Sequence, residues 1–196
     1  METKSEFIIR INDKEDAVDR NAYLLNRKRT IWLGDVDETA SQKIVSELLF
    51  LCQKSTEPIV IYINSLGGYT DDGFAILDAF EYSKQKGIDI VTVACGRAFS
   101  MGAFLLAAGT QGKRYATKNS SILLHQPLGG AHGQATDMKI ALDQILKTKA
   151  RLNNYFSIFT GKDVKVIEKD LERDYTLSAE EGLEYHIIDK IGFYEQ

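Results

Sequence analysis

From Ile31 onward the chain alternates β-type with helix-type segments, and such a chain buries both faces of its strands only in an α/β sheet with right-handed helical crossovers. The segments begin with a strand Ile31 to Val36, a helix from about Glu38 to Lys54, and a strand Pro58 to Asn64 ending at Ser65-Leu66-Gly67-Gly68. A helix from about Asp71 to Lys86 and a strand Ile88 to Cys95 come next, then a Gly-rich turn, an apolar helix from Ser100 to about Gly109 and a strand Ser121 to His125. Near the C-terminus, Ser178-Ala179-Glu180-Glu181 reads as a capping box opening a short helix to Tyr185, followed by an apolar strand Ile187 to Phe193.

After Gly129, Gly130 and Gly133 a helical pattern starts near Gln134 and runs to about Phe159, with Gly161 placed to cap it. About 26 residues at 1.5 Å each give roughly 39 Å, comparable with the diameter of a domain this size. Its apolar positions Met138, Leu142, Ile145, Leu152, Phe156 and Phe159 follow a 4-3 spacing interrupted by Lys149. A helix projecting from the domain needs another subunit to cover such a seam, whereas one lying flat covers it with its own sheet.

A chain of 196 residues with 44% hydrophobic content buries a full core as one domain, 31–196, without disulfides or metal. Residues 1–30 mix charge with short apolar pieces and read as a mobile or partner-dependent arm. Lys plus Arg 24 against Asp plus Glu 28 lacks the basic excess of a phosphate-binding surface, so nucleic acid is not an expected partner. The longest apolar run, Ala103 to Ala108, falls far short of the roughly 20 residues that span a bilayer, and the charged first thirty residues do not resemble a secretory signal. The expectation is a cytoplasmic chain with no membrane partner. Cys52 and Cys95 read as buried, reduced thiols, and neither they nor His125, His132 and His186 stand at metal-ligand spacing, so no metal and no cofactor are expected.

Ser100 lies between a strand ending at Cys95 and an apolar helix, where backbone N–H groups and the helix dipole favour a developing negative charge. A serine there is either a nucleophile or a simple N-cap, and Ala98 breaks the Gly-x-Ser-x-Gly pattern. Gly67-Gly68 follows a strand and precedes Thr70-Asp71-Asp72, so Gly68 N–H is placed either to join Met101 N–H in an oxyanion hole or to make a plain strand-to-helix turn. His125 ends a β-like run ahead of Gln126-Pro127, the strand-end setting in which catalytic residues of α/β domains sit. A carboxylate to orient that histidine is one of 28 acidic residues, and the residues alone do not choose it.

Five stretches, in order, resemble the ClpP family of serine peptidases, from about Tyr23 onward. They are Ile61-Tyr62-Ile63-Asn64-Ser65-Leu66-Gly67-Gly68, Ser100-Met101-Gly102-Ala103-Phe104-Leu105-Leu106, His125-Gln126-Pro127-Leu128-Gly129-Gly130, Gly133-Gln134-Ala135-Thr136-Asp137, and Glu172-Arg173-Asp174 with Leu177-Ser178-Ala179. The resemblance implies a repeated ββα spiral of the ClpP/crotonase type with a projecting handle helix at about 134–159. It implies Ser100 as nucleophile, His125 as base, Asp174 as third member, and the N–H groups of Gly68 and Met101 as oxyanion hole. Extended substrate would pair with backbone near Gly68 to Thr70 on one side and Leu128 to Gly130 on the other. Glu172 and Arg173 match the region of ring-to-ring contact. The family's assembly is two stacked heptameric rings, made of one chain or mixed with a second ClpP-like subunit. An AAA+ unfoldase of ClpX, ClpA or ClpC type feeds it polypeptide, and the N-terminal arm would serve the axial pore or the docking of that partner.

Three departures stand out: Leu66 where the family usually has proline, Phe99 beside the nucleophile where it is commonly small, and an arm unlike the family's common gate. Phe99 is expected to narrow the site. Two other readings compete with an active peptidase: a crotonase-type acyl-CoA enzyme sharing the spiral, and a catalytically silent scaffold that completes a ring.

Overall fold

The computed structural model describes residues 6–11 and 14–195, with side chains from Asp19 to Glu195. Of the expected arm, residues 1–5, 12 and 13 lie outside the described residues. Within the rest of it, β1 (Glu6–Ile11) pairs antiparallel with β2 (Lys14–Asp19) as a separate two-stranded sheet, and α1 (Arg20–Lys28) follows, its first turn capped by Asp19.

The main body starts at β3 (Thr30–Leu33), and Asp37 caps α2 (Glu38–Cys52) by accepting from Ala40 N–H at 2.7 Å. Such a cap is worth about 1 kcal/mol. Then come β4 (Ile59–Ser65), α3 (Thr70–Gln85), β5 (Ile90–Phe99), α4 (Met101–Ala107), β6 (Arg114–Ala116), β7 (Ser121–Leu124), α5 (Ala135–Thr160), α6 (Val164–Asp170), β8 (Tyr175–Ser178), α7 (Ala179–Glu184) and β9 (Lys190–Ile191). The mixed α/β architecture expected from the alternation is the one observed.

Seven strands form one sheet, ordered β3-β4-β5-β6-β9, with β7 on β5 and β8 on β7. β5 serves two neighbours in succession. Its residues Thr92 to Ala94 pair with β6, and Arg97 to Phe99 pair with β7. The expected turn after Cys95 is therefore a continuation of the strand. Ser120 closes the fork by accepting from Gly96 N–H at 3.1 Å and donating to Ala94 O at 3.0 Å, which keeps backbone groups there paired. The core lies between the sheet and helices α2, α3 and α4, and every residue of α4 is buried.

The long helix divides into two parts. Leu152, Asn153, Phe156 and Thr160 are buried, and Phe156 packs edge-on against Phe104 of α4. Met138, Ile140, Leu142 and Leu146 remain exposed. The N-terminal half thus leaves most of its apolar side chains uncovered, as expected of a projecting helix, while the C-terminal half lies on the domain as the flat reading had it. Both cysteines are free, but half-buried rather than buried, and Cys52 Sγ lies 3.2 Å from Ser83 Oγ.

Candidate active site

Three strand ends converge on one edge of the sheet. β5 and β7 run parallel, their last pair is Phe99 with Leu123, and Ser100 N–H donates to Leu123 O at 2.8 Å. Ser100 and His125 therefore leave the sheet side by side. β7 and β8 run antiparallel, ending at Leu124 opposite Tyr175. One more step in that register sets Asp174 opposite His125. Ser100 Oγ is hydrogen-bonded to His125 Nε2 at 2.8 Å, and His125 Nδ1 lies 3.3 Å from Asp174 Oδ1. The second distance exceeds the roughly 2.7–2.9 Å of a tight charge-assisted hydrogen bond. The His125 side chain is 18% exposed and that of Asp174 is 74% exposed.

Ser100 has φ 54° and ψ −120°, a conformation that costs a side-chain-bearing residue about 1–3 kcal/mol. Its hydroxyl makes no capping bond to α4. Capping therefore does not account for a serine at this place, and its Oγ is bonded to His125 instead. Met101 begins α4, so its N–H is one of the helix's unpaired donors.

The Gly67-Gly68 loop runs beside the serine. A Cβ on Gly67 would lie 2.6 Å from Ser100 Cβ, so only glycine permits this approach. The Gly67 carbonyl accepts from Val36 N–H at 2.7 Å. Because the Gly67–Gly68 peptide is trans, Gly68 N–H points away from Val36. Among the described residues no protein acceptor pairs with Gly68 N–H or Met101 N–H. Thr70 already belongs to α3, so the extended backbone expected from Gly68 to Thr70 ends at Tyr69 (φ −74°, ψ 135°). Leu66, exposed in this loop, keeps an N–H that a proline would lack.

On the other side, Leu128 is 84% exposed and Gly130 has open space around it, while a Cβ on Gly129 would meet Ile145 of α5 at 2.7 Å. The glycine-rich segment thus lies against the long helix. Phe99 is half-buried at the end of β5. Gln126 ties the histidine strand to the segment before Asp174: its N–H donates to Leu171 O at 2.8 Å, and its Nε2 donates to Glu172 O at 2.9 Å. Lys149 of α5 lies 2.8 Å from Glu172 Oε2, and this hydrogen bond and charge hold the Glu172 carboxyl below the usual range. Arg173 is exposed. An open cavity of about 420 Å³ is lined by His125, Gln126, Leu128, Glu172, Arg173 and Asp174.

His132 is exposed in its loop, and His186, also exposed, has Nδ1 3.3 Å from Thr160 O, so neither joins the cluster. Among the described residues no three His, Cys, Asp or Glu side chains are grouped to hold a metal ion, and no helix is long and apolar enough to cross a membrane. Sequence reasoning missed Gln126 and Lys149 as neighbours of this site, since neither bond to the 171–172 segment has a local sequence signal.

A family model described as Clp protease matches residues 12–195, and so reaches into the arm beyond the start at Tyr23 that the motifs suggested. A match over nearly the whole length, through every element that delivers a residue to this edge of the sheet, shows that the chain belongs to the Clp protease family and is a ClpP-type peptidase.

Proposed function

We propose that the chain is a serine endopeptidase subunit in which Ser100 attacks the scissile carbonyl, His125 takes its proton, and Asp174 orients the imidazole and stabilises its charged form. The observation that carries this reading is the 2.8 Å Ser100 Oγ to His125 Nε2 bond made from a strained serine. The tetrahedral oxyanion would be met by Gly68 N–H and Met101 N–H, the leaving amine would receive the proton from His125, and water would then release the acyl group. Chain and water supply every group that these steps need. Peptide would lie extended between Gly68-Tyr69 and Leu128 to Gly130, bound through its backbone and so with broad sequence tolerance.

The assembly proposed is two stacked seven-membered rings, of this chain or mixed with a second ClpP-like chain, fed with unfolded polypeptide in the cytoplasm by an AAA+ unfoldase. The uncovered apolar side chains of the α5 N-terminal half support a subunit contact there. The exposure of Asp174 next to Glu172 and Arg173 supports ring contact as the step that shields the carboxylate and shortens its bond to His125. The arm would serve the axial pore or partner docking.

The test is cleavage of a fluorogenic short peptide and of an unfolded protein by wild type, Ser100→Ala and His125→Ala, each sized in solution. Wild type should cleave as a ring-sized species, and each variant should lose at least about a thousandfold in kcat without change in size. A ring-sized wild type that cleaves neither substrate would favour the scaffold.

A further inference from the structure

Three consecutive peptide groups lead to Gly68 N–H, and each is hydrogen-bonded, the Gly67 carbonyl accepting a second, longer bond from Ser65 Oγ at 3.5 Å. Leu66 N–H donates to Asp35 Oδ1 at 2.7 Å, Gly67 N–H donates to Ser65 Oγ at 3.0 Å, and the Gly67 carbonyl accepts from Val36 N–H at 2.7 Å. The third bond is backbone to backbone, and no side chain takes part in it. The second runs to the side chain of Ser65, the buried last residue of β4, two positions back in the same segment. The first alone ties the start of the loop to a different segment through a side chain, and it requires both an acceptor at 35 and an N–H at 66. Leu66 is 56% exposed and Asp35 is exposed, so packing of these two side chains does not hold the bond between them. Two glycines follow, the residues with the widest backbone freedom. A carboxylate acceptor makes this restraint about twice as strong as a neutral one.

We infer that Asp35 is a positioning residue, which orients the 65–68 segment so that Gly68 N–H faces the reaction centre beside Ser100. It touches no reacting atom. Gly67 transmits any rotation directly, since its Cα lies against the Ser100 side chain so closely that a Cβ would come within 2.6 Å of Ser100 Cβ. This inference rests on the proposed peptidase reading of the same site.

The experiment is a double-mutant cycle on peptide cleavage. Asp35→Ala should lower kcat about ten- to a hundredfold with KM, ring size and unfolding temperature unchanged, because a misplaced oxyanion donor weakens the transition state and not the ground state. Asp35→Asn, which keeps an acceptor oxygen, should recover most of that loss. Leu66→Pro removes the donor, so Asp35→Ala should have no further effect in that background. Amide exchange at residues 66–69 should quicken in Asp35→Ala. A wild-type kcat in Asp35→Ala, an equal loss in the Leu66→Pro background, or a loss of kcat that follows a fall in unfolding temperature would overturn the inference while leaving the peptidase reading intact. A wild type that cleaves nothing overturns the peptidase reading, and this inference with it.

Discussion

Gly68→Ala should reduce kcat for peptide cleavage by about a hundred- to a thousandfold, the loss found when one oxyanion donor is removed. A Cβ at this position would stand 2.0 Å from Val36 O, 2.7 Å from its carbonyl carbon and 2.9 Å from its Cα. All three are backbone atoms and none can swing aside. The residue also has φ +146°, outside the range open to alanine at low cost. Relief requires the loop to leave Val36, which breaks the Val36 N–H to Gly67 O and Tyr69 N–H to Val36 O bonds of 2.7 and 2.9 Å. Gly68 N–H then loses its direction. Gly34→Ala is the control: its added Cβ meets nothing within 4 Å, and activity should stay within twofold of wild type. Steady-state kinetics on both variants, with sizing to show that assembly persists, checks the prediction.

Arg114→Ala should lower stability by about 3–5 kcal/mol, the usual result of removing one partner from a buried ion pair. Its side chain is 2% exposed, and that of Asp189 is 17% exposed. Nε and Nη2 grip the two carboxylate oxygens at 2.9 and 2.7 Å, and Nη1 donates to Phe159 O at 2.8 Å. One guanidinium thus joins β6, the end of α5 and the turn before β9. For a chain of this length the loss corresponds to a fall in Tm of about 10 °C. Arg114→Lys should recover little, since an ammonium lacks the planar fork. Burial pushes the Asp189 carboxyl up, but hydrogen bonds and charge from Arg114, with the N–H groups of Arg114 and Gly112, outweigh it and hold the group below the usual range. Its contribution is therefore complete above the ordinary carboxylate pKa and is lost as pH falls through the lowered folded value. Wild type should lose more Tm on acidification than Asp189→Asn, and thermal scans of both across the acid range test the sign.

How much was legible in the sequence depended on segment length and on pairing. The helices now seen at Glu38–Cys52, Thr70–Gln85 and Ala135–Thr160 were readable because each runs several turns with a periodic apolar face. Arg114–Ala116 and Tyr175–Ser178 were not, because three or four residues give too little alternation to stand out. Val164–Asp170 left a fainter mark: Asp163 caps it, two residues after the glycine that ends α5, and an Asp in that place was a usable start signal. The expected strand Ile187 to Phe193 shrank to Lys190–Ile191, since only that stretch reaches β6.

For the site the limit was of a different kind. His125 follows a strand that the sequence located, whereas the strand before Ser100 runs on past Cys95 to Phe99, and the pairing of the two residues follows from β5 lying beside β7. Asp174 is selected by the antiparallel register of β7 and β8, a long-range pairing that no local pattern in Glu172-Arg173-Asp174 encodes. Asp35 is subtler still, because its partner is a backbone N–H thirty-one positions away.

The measurement that bears most directly on Ser100 as an activated nucleophile is labelling with a fluorophosphonate probe, read by intact mass, on wild type and Ser100→Ala with a sizing run on the same samples. A single phosphonyl adduct on wild type, absent from Ser100→Ala and carried by a ring-sized species, is the expected result. Equal labelling of both proteins, or a ring-sized wild type that remains unlabelled, would contradict the account.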